Sequence, residues 1–303
     1  QWINDLRTSS VKRALPILSF PSIQLMNTTV RDLISSSEMQ ARGMKLIAER
    51  TDSAAAVSMM DLSVEAEALG APVKVSEDEV PAVTGHVIET EDEARALILP
   101  NIEDTRAGLY VEAIRKACEL ITDRPVFAGV IGPFSLAGRL MGVTDAMFFC
   151  YDEPDMVHTI LEKVSQFTIS YCNAFKAVGA NGVMIAEPLG GLLSPAMAEE
   201  FSHAYVKRIV EAVQTDEFAV IYHNCGDNVP HMITDLYQLG ALGYHFGDAI
   251  NMLDILPQAP KDVLVMGNIS PANSFRGGTP ESIAAETKRL IENCSAFSNF
   301  VIS

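Results

Sequence analysis

His223 and Cys225 stand two residues apart at the end of the run Phe218-Ala-Val-Ile-Tyr-His-Asn-Cys-Gly226. The run has the apolar, β-branched and aromatic make-up of a buried strand that delivers polar groups at its C-terminal tip. Side chains alternate faces along a strand, so the imidazole and the thiol project to one side while Tyr222 and Asn224 take the other. One imidazole and one thiolate on one face make half of a zinc site. The same spacing also suits a buried structural pair; its place at the end of a core strand favours the metal.

Other polar residues follow apolar runs in the same way. Asp61 closes Ala54–Met60, Glu187 follows Gly182–Ala186, and His245 and Asp248 end the stretch that begins at Gly243. Asn268 follows Val263–Met266 and the Gly at 267. Asp61, Glu187 and Asp248 are the candidate catalytic acids, with Asp248 or Glu187 also able to orient His223. Asp61 and Glu187 suit the capping of helix N-termini equally well. His245 reads as a satisfied core histidine ahead of a substrate or cofactor contact, and Asn268 as readily braces a loop as touches substrate. Met60, beside Met59, and Phe134, in Gly132-Pro-Phe-Ser135, are the remaining candidates to bind substrate or a large apolar cofactor.

These positions matter because of the elements that carry them. The expected strands are 15–20, 54–60, 126–131, 182–186, 218–221, 243–246, 263–266 and 299–303, separated by helical segments such as 106–122, 153–178, 194–214 and 279–293. Continuous apolar strands alternating with helices predict a parallel sheet covered by helices. Eight of them favour a closed (β/α)8 TIM barrel, in which chemistry sits at the C-terminal strand ends. An open doubly wound sheet is the alternative, but no G-x-G-x-x-G follows the first strand. Residues 1–14 form an N-terminal lead-in with Trp2, Ile3 and Leu6 as a packing face. Residues 62–104 break the rhythm and read as an insertion over the barrel mouth within a single domain 1–303. A last helix is missing from the alternation and is expected after Ser303.

Thirty-nine acidic residues against 22 basic ones give a net charge of −17, which excludes the basic footprint of nucleic-acid binding and disfavours anionic membranes. No run reaches the length of a membrane span. Five cysteines without a framework pattern suit a reducing cytoplasm.

Several stretches together resemble one family. Val64-Glu-Ala-Glu-Ala-Leu-Gly70, Ile131-Gly-Pro-Phe-Ser-Leu-Ala-Gly-Arg139, His223-Asn-Cys-Gly226 and Met266-Gly-Asn-Ile-Ser-Pro271 resemble the uroporphyrinogen decarboxylase superfamily, over essentially residues 12–303. Within it they are similar to the zinc-dependent methylcobalamin:coenzyme M methyltransferase branch. The resemblance implies a (β/α)8 barrel with Zn²⁺ held by a His-x-Cys pair, matched by His223 and Cys225, and by a later Cys in a Gly-Cys that would follow Ser303. It further implies methyl transfer from methylcobalamin on a partner corrinoid protein to a thiol or pterin acceptor, of the coenzyme M or tetrahydrofolate type. The expected partners are that corrinoid protein and the small-molecule acceptor, with a homodimer as a further option. The alternatives are a metal-free decarboxylase in which Asp61 carries the acid–base role, and a non-catalytic barrel that binds a corrinoid or tetrapyrrole.

Overall fold

Seven parallel strands pair in strict sequence order in the computed structural model, which describes residues 1–18 and 20–303. They are Ala56–Val57, Val126–Ile131, Gly182–Ala186, Ala219–Asn224, Gly243–Phe246, Leu264–Gly267 and Phe300–Ile302. The sheet closes through residues 14 and 15: Ala14 forms a parallel bridge with Ile302, the Leu15 amide donates to the Ile302 carbonyl at 2.9 Å, and the Ala54 amide donates to the Ala14 carbonyl at 2.7 Å. The expected (β/α)8 barrel is therefore the observed fold. Of the expected first strand 15–20, the ladder contacts just given fall at its start, before Pro16, which has no N–H to give; Ser19 lies outside the described residues.

Both faces of these strands are buried, as their unbroken apolar runs require. One face of each strand, including Val126, Ala128, Val183, Ile185, Val220 and Tyr222, packs under the helices. The other, with Leu15, Val57, Phe127, Met184, Ile221, Met266 and Val301, fills the barrel interior. The lead-in folds as a helix, Trp2–Thr8, that closes the N-terminal end. Its Leu6 joins the interior cluster, the Trp2 ring lies tilted against Phe127 with centroids 5.2 Å apart, and the Trp2 indole donates to the Ala54 carbonyl at 2.9 Å. The barrel is thus a filled core, and small molecules must approach from its C-terminal end.

The helices start where their caps place them. Thr29, Ser36, Thr90, Thr105, Ser194 and Thr279 each accept an amide of the first turn that follows, a contribution of about 1 kcal/mol apiece. The long helix Pro154–Ala177 buries Val157, Leu161, Val164, Phe167, Tyr171 and Phe175 along one stripe. Residues 62–104 contain the helices Val64–Ala68 and Glu91–Ala96 and an antiparallel hairpin of Val73–Lys74 with Ala82–Val83. This segment is pinned to the helix Pro133–Met141, whose Leu140 carbonyl accepts the amides of Val87 and Ile88 at 2.8 and 3.1 Å. Among the described residues no helix is long and apolar enough to cross a membrane.

Candidate active site

The strand Ala219–Asn224 puts alternate residues on opposite faces. Tyr222 and Asn224 point outward and are fully buried, with the Asn224 amide donating to the Tyr222 hydroxyl at 2.8 Å. Asn224 Oδ1 accepts the Gly226 amide at 2.9 Å, which turns the chain just after Cys225. His223, on the inner face, is half-buried and Cys225 is exposed. Cys225 is the exposed one of the five cysteines. Gly247 lies so close that a Cβ there would meet Cys225 Cβ at 2.7 Å, so only glycine lets the neighbouring loop pass.

His223 pairs in register with His245 on the next strand. Their Nδ1 atoms lie 2.7 Å apart, and His245 Nε2 lies 2.6 Å from Ser303 Oγ. That hydroxyl donates to the Leu15 carbonyl at 2.8 Å, on the strand where the barrel closes. Burial pushes the His223 imidazole down to about 4, with the His245 carbonyl pulling the other way, and pushes His245 well below the usual range. Both rings are neutral at neutral pH. The orienting partner of His223 is therefore His245, and neither Asp248 nor Glu187. Asp248 is exposed beside Cys225 instead. The Cys225 thiol is held above its usual range by burial first, with the negative charges of Asp248 and Asp227 adding to the effect.

Asp61 is held in a separate knot. Its Oδ1 accepts the Ser63 amide and hydroxyl at 3.1 and 2.6 Å, and its Oδ2 accepts Arg106 Nη1 and the Tyr110 hydroxyl, both at 2.6 Å. Arg106 also bonds the Ser63 hydroxyl at 3.0 Å and pairs through Nε with Glu67. With each oxygen doubly engaged, Asp61 ties the 61–68 segment to the helix Arg106–Leu120.

Glu65 belongs to the same region and carried no signal in the sequence beyond its motif. It is fully buried; Oε1 accepts the Ile131 amide at 2.9 Å, while Oε2 has no partner. Burial pushes its carboxyl from the usual 4.5 up to about 7, against the pull of the Ile131 amide. The folded protein thus keeps a proton that the unfolded chain releases, so stability falls as pH rises from about 4.5 to about 7. Glu65→Gln keeps the carbonyl for Ile131 and removes the ionisation. The variant is expected to match the parent near pH 4 and to exceed it by up to about 3 kcal/mol at pH 8. Urea melts at the two pH values measure this; a variant less stable than the parent at pH 8 would contradict it.

Glu187 is also fully buried, and it caps a helix, the second of the two places its sequence position suits. Its oxygens accept the Phe134 and Ser135 amides at 2.9 and 2.7 Å and the Ser135 hydroxyl, at the N-terminus of the helix Pro133–Met141. Burial raises its carboxyl to about 7, and these donors pull it down. Gly132 makes room, since a Cβ there would meet Glu187 Oε2 at 2.5 Å. Phe134, expected at the pocket, is fully buried between sheet and helices. Its amide is fixed on Glu187, so its ring turns into that layer. Met60 does reach the barrel interior, lying against Gly129, where a Cβ would meet its sulfur at 2.3 Å. Asn268 braces the loop after the strand Gly243–Phe246 by donating to the carbonyls of Gly247, at 2.9 Å, and Ile250. Ser303 thus stands behind His245 and His223, while Asp61 and Glu187 are each held by hydrogen bonds to their own surroundings.

A family model described as uroporphyrinogen decarboxylase (URO-D) matches residues 18–303. The chain belongs to that family. The superfamily resemblance of its motifs is borne out. Among curated URO-D relatives, the chain is 26% identical over 237 residues to methylcobamide:CoM methyltransferase MtbA of Methanosarcina acetivorans, covering 77% of this chain and 69% of the relative. It is 28% identical over 271 residues to the uroporphyrinogen decarboxylase of Neisseria meningitidis serogroup A, covering 86% of this chain and 75% of the relative. A methyltransferase structure from Methanosarcina mazei superposes with a TM-score of 0.86 at 21% identity, over 99% of this chain and 90% of its own, which supports the barrel fold.

Proposed function

We propose that this URO-D family member is a corrinoid-dependent methyltransferase that moves a methyl group from a methylated corrinoid protein to the thiol of coenzyme M, with zinc held by His223 and Cys225. The observation that carries this reading is the pair of inward, accessible metal-type ligands at one strand tip above a filled barrel. The relatives named methylcobamide:CoM methyltransferase support the same reaction.

The residues present fit zinc in kind. One imidazole with a neutral, oriented ring and one accessible thiol match zinc's preference for nitrogen and sulfur, and the exposed Asp227 and Asp248 favour a cation beside Cys225. Among the described residues no third His, Cys, Asp or Glu converges on the pair. The resemblance of the motifs implies a later cysteine as the third ligand. A tetrahydrofolate-type acceptor is the second option for the methyl group, and no residue described here favours it.

The chemistry zinc supplies at such a site is deprotonation of a coordinated thiol at neutral pH. The chain's own residues do the rest. His245 holds the His223 ring in place. The packed interior from Met184, Ile221 and Met266 blocks approach from below, so acceptor and methyl donor must meet at the C-terminal mouth. Methyl transfer by in-line displacement needs the sulfur, the methyl carbon and the cobalt in one line, so the corrinoid protein must dock over that mouth. Asp61, the acid of the decarboxylase alternative, has its oxygens already occupied.

Incubation with zinc, methylcobalamin and coenzyme M should give methylated thiol with loss of methylcobalamin absorbance. Incubation with uroporphyrinogen should leave it unchanged. Decarboxylation without methyl transfer would replace this reading with the decarboxylase.

A further inference from the structure

We infer that Ser303 and His245 fix the tautomer of His223, placing its hydrogen on Nδ1 and leaving Nε2 as a bare lone pair at the barrel mouth. The argument is a count of hydrogens along one chain of contacts: Leu15 carbonyl, Ser303 Oγ, His245 Nε2, His245 Nδ1, His223 Nδ1. A carbonyl can only accept, and two oxygens 2.8 Å apart repel unless a hydrogen lies between them, so the single hydroxyl hydrogen of Ser303 points to Leu15. Ser303 Oγ then has only lone pairs to offer His245, and the 2.6 Å contact requires His245 Nε2 to carry the hydrogen.

His245 is buried and touches no carboxylate among the described residues that would support a second ring proton, so its Nδ1 is an acceptor. The 2.7 Å contact between the two Nδ1 atoms is a hydrogen bond only if His223 donates. His223 Nε2 makes no hydrogen bond among the described residues. With both rings neutral, any other placement of hydrogens leaves two donors or two acceptors face to face at one of the three contacts.

His245 is thus a positioning residue and Ser303 the group that sets its direction. For the zinc reading, on which the use of that lone pair rests, the relay presents His223 in the only neutral form that can ligate through Nε2 without losing a proton. Neither role is visible in the His-x-Cys motif, because His245 and Ser303 lie 22 and 80 residues further along the chain.

Long-range ¹H–¹⁵N spectra of the metal-free, histidine-labelled protein report each tautomer directly, with His223 assigned by the signals lost in His223→Gln. The expected result is a protonated Nδ1 and bare Nε2 on His223, and the reverse on His245. A protonated Nε2 on His223 would overturn the inference. Zinc affinity by chelator competition supplies a second readout. His245→Phe keeps a ring but no acceptor, and should weaken zinc about 10–100-fold, whereas His245→Asn keeps an acceptor near the Nδ1 position and should stay within about threefold of the parent. Equal losses in the two variants would also overturn the inference. A parent protein that shows the expected tautomers but binds no zinc would uphold the relay and remove the metal from the proposed function.

Discussion

Cys225→Ser is expected to lower zinc-dependent methyl transfer to a thiol on the order of a hundredfold or more, because a hydroxyl cannot replace a thiolate as a soft zinc ligand. The barrel should remain folded. Cys225 is exposed and lies beyond the end of its strand, and the serine is smaller by little and makes no cavity in the core. Zinc content and methyl transfer should fall together, while the urea midpoint moves by less than about 0.5 kcal/mol in stability, as for an ordinary surface change. Retained zinc with retained activity would make His223 and Cys225 a structural pair.

Arg106→Leu should have the largest effect on stability. The Asp61 carboxylate is fully buried and Arg106 is the cation in direct contact with it, so removing the guanidinium strands a buried charge. The expected cost is about 3–5 kcal/mol. Asp61→Asn in the same chain removes that charge, so the double variant should recover more than about 1 kcal/mol of the loss, a coupling expected of side chains in direct contact. Chemical denaturation of the four proteins in the cycle measures it. A single-variant cost below about 1 kcal/mol would show that Asp61 is protonated or hydrated, and would return it to the set of candidate acids.

Legibility in the sequence followed the range of the interactions. The strands Val126–Ile131, Gly182–Ala186 and Gly243–Phe246 fall where their apolar runs place them, because burial on both faces leaves an unbroken local signature. The inward turn of His223 follows from strand alternation alone, opposite Tyr222 and Asn224. The closing of the barrel is less legible, because the bridge of Ala14 with Ile302 joins residues from opposite ends of the chain. What chemistry each acid performs was less legible. Asp61 and Glu187 do stand at strand ends, but whether an acid there is free or capped depends on partners 45 and 52 residues away, Arg106 and Ser135. The same holds for His245, which reads as a core histidine until its register with His223 and the position of Ser303 are known.

The central claim is that His223 and Cys225 bind zinc and leave a position for the incoming thiol. X-ray absorption at the zinc edge, on the protein carried past Ser303, tests it most directly. The account predicts an imidazole nitrogen at about 2.0–2.1 Å and thiolate sulfur at about 2.3 Å, with one more sulfur in the shell when coenzyme M is added. A zinc with no sulfur ligand, or a shell unchanged by the thiol, would contradict it.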